Sequence, residues 1–338
     1  MATLSILQHD DERRGYTTDR PDILFDGRTY RYTEDTGTTF EVVYPLHPID
    51  TVDSDARTLL VSSVCDGHAG FGASYTVNHR IPQLFPSCID EAHGDVASAL
   101  RRLFATLGEE TATLTSGTTC NVTVFDPANE EVHVASLGDS PTLRYRIGAS
   151  GRFELVWKSD DQDCGDPEEV ARMVDVHRRH GDPDADASTV VFQVVSSGHP
   201  TGIWRNKISQ CMVHSSFGDA QHNYLPGIVN TLPRIYTQRW SATQHSDVWI
   251  QCTDGLLERL THSKLGIQPQ SEERLAEIAR HLDVCHPHVN VAYSLHEMQI
   301  DAMFADKRAA HPLRSDNSRA WVESTFDNHL TKVFRWDV

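Results

Sequence analysis

Short β-rich runs that come in groups, rather than in alternation with helices, constrain this chain most. Thr118–Phe125, Glu131–Leu137, Thr142–Ile147 and Phe153–Trp157 follow one another, each dominated by β-branched and aromatic residues. Asp126-Pro127-Ala128-Asn129 reads as a hairpin turn between the first two. Thr38–Tyr44 and Thr58–Cys65 precede this group. Thr189–Val195, Lys207–His214 and Asp247–Cys252 follow it, and Leu330–Trp336 reads as a final strand. Helical spacing is confined to a few stretches. Between Asp95 and Leu107 the apolar residues Val96, Leu100, Leu103, Phe104 and Leu107 recur at helical intervals. Asp166 caps a helix that has Pro167 at its first position and Glu168 and Glu169 at its positive end. Ser271–Leu282 is amphipathic, and Asn290–Phe304 reads as helical. Strands outnumber helices without a βαβα order. The expected class is α+β: a β-sandwich of two antiparallel sheets flanked by helices, in four αββα layers.

Residues 1–22 are polar and lack periodicity, which predicts a weakly ordered extension. The remainder, 23–338, is expected to form a single domain, long enough to bury a sizeable core. The formal net charge is −18, from 30 basic and 48 acidic residues, which argues against nucleic-acid binding, because that affinity comes from Lys and Arg on phosphates. No apolar run approaches the roughly 20 residues that span a bilayer, and the N-terminal apolar stretch is too short for a signal peptide. The expectation is a monomer in the cytoplasm, or in cytosol and nucleus, neither secreted nor attached to a membrane. The seven cysteines are scattered and form no CxxC pair, so they read as free thiols, with Cys65 in a packing role.

Three aspartates share one setting. Asp66 follows the run TLLVSSVC, Asp254 follows DVWIQCT, and each is followed by Gly; Asp327 stands just before the last strand. A strand end fixes a carboxylate, and the following Gly lets an ion approach the backbone carbonyl. Oxygen-only ligands suit Mg²⁺ or Mn²⁺ rather than zinc. Asp-Gly is also a common turn dipeptide, and Asp26-Gly27 reads as such a turn.

The order VCDGHAG (64–70), SGTTC (116–120), VASLGDS (134–140), SSFGD (215–219), CTDGLLERL (252–260) and FDNHLT (326–331) resembles the metal-dependent (PPM, type 2C) Ser/Thr protein phosphatases. The resemblance spans about residues 30–336. It implies a centre of two Mg²⁺ or Mn²⁺ ions, with a third possible. Asp66 would bridge the two ions, with the Gly67 carbonyl, Asp254 and Asp327 as further ligands. Glu34 and Asp35 match the family's N-terminal acidic pair, and Asp139 matches the position that can hold a third ion. His68 takes the place of the general acid, and Arg31 is the candidate for gripping the substrate phosphate. Residues of about 160–215 correspond to a flap-like insertion, in which Gln162 stands where the family usually has His.

The implied reaction is hydrolysis of phosphoSer or phosphoThr in a protein, by a hydroxide bridging the two ions. Two close cations acidify water and neutralise phosphoryl oxygens, and an imidazolium helps a poor alkoxide leaving group depart. The alternative is a catalytically silent, phosphatase-like binding or regulatory module. Ser116-Gly117-Thr118 reads as a turn into a strand, and Gly218-Asp219 as loop architecture behind the site.

Overall fold

The structure is a computed structural model. It describes residues 3–10, 23–25, 28–30, 35–45, 56–196, 199–240, 247–257, 259–260, 267–268, 272–284, 291, 294–295, 298–299 and 330–337. Ten strands form the body: β1 (Thr3–Asp10), β2 (Thr36–Pro45), β3 (Ala56–Cys65), β4 (Cys120–Asp126), β5 (Glu131–Leu137), β6 (Thr142–Ile147), β7 (Phe153–Lys158), β8 (Arg234–Arg239), β9 (Asp247–Cys252) and β10 (Leu330–Asp337). They make two five-stranded sheets, in the orders β8-β5-β4-β3-β2 and β1-β10-β9-β6-β7. Every pairing within these two sheets is antiparallel.

Helices α1 (Gly72–Glu91) and α2 (Val96–Thr111) cover the first sheet. Their apolar faces, including Val77, Ile81, Phe85, Leu100, Leu103 and Leu107, pack on Val61, Val122, Val124 and Leu137. Helix α4 (Glu272–Val284) covers the second sheet, placing Ile278 and Leu282 against Leu143, Tyr145, Val248 and Ile250. The expected four-layer α+β sandwich is therefore the observed fold. Both faces of the central strands are buried, so β4 and β9 are buried along their whole length although polar residues such as Asn121, Thr123 and Gln251 alternate with the apolar ones.

The space between the sheets is divided in two. At one end Phe125, Val132, Val134, Trp249 and Phe334 form an apolar cluster. At the other end, inward positions carry polar groups that bond across the gap. Ser62 Oγ donates to Gln251 Oε1 at 2.7 Å, and Gln251 Nε2 donates to Asn121 O and Oδ1, both at 2.9 Å. Lys332 Nζ, fully buried, donates to the carbonyls of Thr38 at 2.6 Å and Ser63 at 2.9 Å. Burying so many polar groups is tolerable because each finds a partner.

Several sequence expectations need correction. Residues 3–10 are not a loose extension. They form edge strand β1, paired along its length with β10 from Thr3↔Asp337 to Asp10↔Leu330. Ladder bonds are made by the backbone, so the polar sequence did not prevent them. The strand expected at Lys207–His214 lies instead at His199–Asn206, paired with Val191–Ser196. It stops because the Asn206 side chain accepts the amides of Ile208 and Ser209, at 2.8 and 3.0 Å, and turns the chain. Helix α3 (Pro167–Arg179) begins as predicted, with Asp166 accepting the amides of Glu168 and Glu169. With the hairpin it builds a separate small cluster from Cys164, Met173, Val176, Val190, Val191 and Ile228. Most of Asn290–Phe304, expected to be helical, lies outside the described residues. Among the described residues, no helix is long and apolar enough to cross a membrane.

Candidate metal centre and active site

Ladder register brings the aspartates to one edge of the sandwich. Thr36 pairs with Cys65, so Asp35 and Asp66 stand at adjoining strand ends. Val64 pairs with Asn121 and Cys120 with Leu137, which extends the same edge to Gly138 and Asp139. In the other sheet Thr142 pairs with Gln251, and Cys252 N–H donates to Pro141 O at 3.1 Å, which brings Asp254 to the same edge. Thr253 links the sheets there, its hydroxyl donating to Asp35 Oδ2 at 3.0 Å.

The backbone of Asp66 is clamped. Its amide donates to Thr119 Oγ1 at 3.3 Å, and its carbonyl accepts the Thr119 amide and the Thr118 hydroxyl, each at 2.9 Å. The Thr119 hydroxyl lies 2.6 Å from Ser140 Oγ, beside Asp139. Gly67 is buried and pairs with Thr118.

Asp35, Asp139 and Asp254 are buried and Asp66 half-buried. Burial, and then the charges of Asp254, Asp163 and Asp161, push the Asp139 carboxyl well above the usual carboxylate range. Gln162 donates its amide to Gly138 O at 2.9 Å, while its side-chain Oε1 is buried and accepts no hydrogen bond among the described residues. The carboxylates that share this edge, and the buried neutral oxygen of Gln162, offer only oxygen atoms to a ligand. That chemistry fits a hard divalent cation, whose charge would offset the repulsion felt by Asp139. Glu34, Arg31 and Asp327 lie outside the described residues.

His68 sits beside this edge, and here the sequence reading missed a partner. His68 Nε2 is 2.8 Å from Asp219 Oδ2. Asp219 is therefore in contact with the candidate acid and is more than loop architecture. The contact is organised by a three-stranded ribbon of dipeptides, Gly67–His68, Gly117–Thr118 and Phe217–Gly218, in which both His68 and Gly218 pair with Gly117. Ser116-Gly117-Thr118 is thus the middle of this ribbon. A Cβ on Gly117 would overlap both His68 Nε2 and the Asp219 carboxylate. Ser216 Oγ donates to the same Asp219 oxygen at 2.6 Å. Burial opposes the ionised Asp219, yet the hydrogen bond and charge of His68, with Ser216, hold its pKa below the usual range. The signal in the sequence was SSFGD itself, whose Asp faces a residue 151 positions away.

Ala69, where the resembled family usually has Gly, adopts φ +56°. This left-handed backbone costs a non-glycine residue roughly 1–2 kcal/mol.

A second group, Asp126, Glu131 and His133, has ligand atoms within 4.8 Å of one another. It lies at the opposite end of the β4–β5 hairpin from Asp139. Arg57 already grips Asp126 there, Nε donating to Oδ1 at 2.9 Å and the second guanidinium nitrogen to Oδ2. A fixed guanidinium in that place disfavours an added cation. The six cysteines among the described residues are free thiols; Cys65 is fully buried with its Sγ 3.8 Å from that of Cys120, and burial pushes the Cys120 thiol far up.

No protein-family model and no curated protein matches the sequence. Solved structures do match. A serine-threonine phosphatase 2C from Toxoplasma gondii superimposes with a TM-score of 0.55 at 16% identity, over 89% of this chain and 99% of that one. A sex-determining protein of C. elegans gives 0.55 at 13% identity, over 91% of this chain and 66% of that one. The chain thus spans slightly under two thirds of the C. elegans protein's length. The fold is that of the metal-dependent, type 2C (PPM) protein phosphatases, in agreement with the motif order.

Proposed function

We propose that this protein is a metal-dependent protein serine/threonine phosphatase. What supports the reading is that strand register brings Asp35, Asp66, Asp139 and Asp254, drawn from both sheets, to one edge beside His68. Asp66 and Asp254 would hold Mg²⁺ or Mn²⁺, with Asp35, Asp139, the Gly67 carbonyl and, from the motif match, Glu34 and Asp327 completing the set. Bound cations of this kind acidify water and neutralise phosphoryl oxygens. The chain's own contribution is threefold. Its strand ends hold the carboxylates, the clamp on Asp66 fixes that residue's backbone, and His68 stands ready to protonate a Ser or Thr oxygen as it departs. Arg31 is assigned the phosphate on the motif match alone. The likeness to a serine-threonine phosphatase 2C supports a phosphorylated protein as the substrate class.

The test is release of phosphate from a phosphoserine peptide in Mn²⁺, with wild type and Asp66→Asn compared. Activity that needs Mn²⁺ and falls at least about a hundredfold in the variant supports the reading. Equal rates in EDTA would sink it. Calorimetry showing no Mn²⁺ binding would favour the silent binding module instead.

A further inference from the structure

We infer that Asp219 is a positioning residue for His68, fixing which ring nitrogen carries the transferable proton. The inference rests on the phosphatase reading for its chemistry, and on geometry alone for the pairing.

An ionised carboxylate only accepts hydrogen bonds. The 2.8 Å contact therefore puts a hydrogen on His68 Nε2, and makes Nδ1 the nitrogen that gains and loses the second proton. A carboxylate in this place selects the tautomer, fixes the ring plane and stabilises the imidazolium, as in other carboxylate–histidine pairs.

Three features distinguish this pair from an ordinary surface contact. Asp219 is 1% exposed, and its Oδ1 accepts no hydrogen bond among the described residues. A buried carboxylate oxygen without a donor weakens a fold, so stability alone explains the residue poorly. Asp219 also adopts φ +56°, a strained backbone for a non-glycine residue. Finally, Gly218, at φ +78°, lies so close to Ser116 O that a Cβ would overlap it, and the Asp219 amide donates to the same carbonyl at 3.1 Å. The ribbon accepts crowding and strain at three successive motifs, and what these produce together is the orientation of one imidazole.

The step balances as follows. A water oxygen forms the new P–O bond and gives up one proton to solvent, and the bond from phosphorus to the Ser or Thr oxygen breaks. That oxygen leaves with the electron pair and takes the Nδ1 proton, and the imidazole is reprotonated from solvent.

A leaving-group comparison tests the assignment. Asp219→Asn is the primary variant, because Asn tolerates a left-handed backbone; Asp219→Ala is the second. Each is measured in Mn²⁺ on a phosphoserine peptide, whose alkoxide needs a proton, and on p-nitrophenyl phosphate, whose phenolate does not. Loss of kcat on the peptide by roughly 10- to 100-fold at unchanged KM, with less than about threefold loss on the aryl ester, supports the inference. Equal losses on both substrates, or none on the peptide, would overturn it. The pairing is read separately from the ¹⁵N shifts of the His68 ring, assigned by their loss in His68→Gln. A wild-type Nε2–H tautomer that is lost in Asp219→Ala supports it, and a wild-type Nδ1–H tautomer overturns it. If wild type hydrolyses neither ester, the phosphatase reading fails, while the ring spectrum still decides the pairing.

Discussion

Ser62 and Gln251, 189 residues apart, meet between the two sheets, with the Ser62 hydroxyl donating to Gln251 Oε1 at 2.7 Å. Gln251 also donates to both oxygens of Asn121, so one side chain satisfies two residues of the opposite sheet.

Replacing Gln251 by Leu keeps the volume and removes every one of these bonds. Ser62 and Asn121 then lose their bonds across the gap while Asn121 keeps Thr142 and Ser140, at a cost of about 1–3 kcal/mol. Urea unfolding should show a lower midpoint with an unchanged slope. A variant as stable as wild type would mean that the seam contributes nothing.

Ala69→Gly should raise stability by up to about 1 kcal/mol. The gain from relieving a left-handed alanine exceeds the entropy that glycine adds to the unfolded chain. Thermal unfolding of the two proteins in EDTA checks the sign.

Metal binding should be visible without any substrate. Mn²⁺ at a hundred times its Kd should stabilise wild type by about 2.7 kcal/mol in a thermal shift experiment. Asp254→Asn should lose most of that gain. In EDTA the same variant should be the more stable of the two, because Asp254 is the foremost of the charges acting against Asp139. A variant less stable than wild type in EDTA would contradict this account of the carboxylate edge.

His214 provides a pH limb. Burial, then Arg172, lowers its pKa from 6.5 to about 4, so it is neutral in the fold and charged in the unfolded chain below about 6.5. The unfolded state then binds the extra proton, and stability falls as pH drops from about 6.5 toward about 4. Between pH 7 and pH 5 this one group costs about 2 kcal/mol. His214→Gln, which can keep a partner for Ser209, should lose less stability than wild type over that interval in denaturant titrations. Parallel losses would assign the acid sensitivity elsewhere.

The sandwich was legible because its strands alternate and end in fixed chemistry. Along β4 the outward residues Cys120, Val122 and Val124 enter the helix-covered core, while Asn121, Thr123 and Phe125 face the other sheet. Helix α1 was not legible, since Pro82 and Pro86 interrupt a pattern that otherwise runs Ala73, Val77, Ile81, Phe85 and Ile89. Tertiary packing overrode the local penalty of those prolines. Strand β8 was missed because an edge strand with mixed polarity carries a weak signal. The shared edge position of Asp66 and Asp254 was legible from the strands that precede them. Asp219 was not legible, because its role is defined by a histidine far away in sequence, and a motif read alone contains no information about such a partner.

The Thr253–Asp35 hydrogen bond gives the carboxylate edge a mechanical character. Asp35 and Asp66 travel with one sheet and Asp254 with the other, so the edge is a joint between two plates, with Thr253 as its latch. Small sliding of the plates would open or close the spacing between the carboxylates proposed to hold the cations, with each sheet moving as a unit. The Lys332 and Gln251 contacts act as the pins that resist that slide. Substitutions far from the carboxylates could therefore change metal affinity by loosening the hinge rather than the ligands.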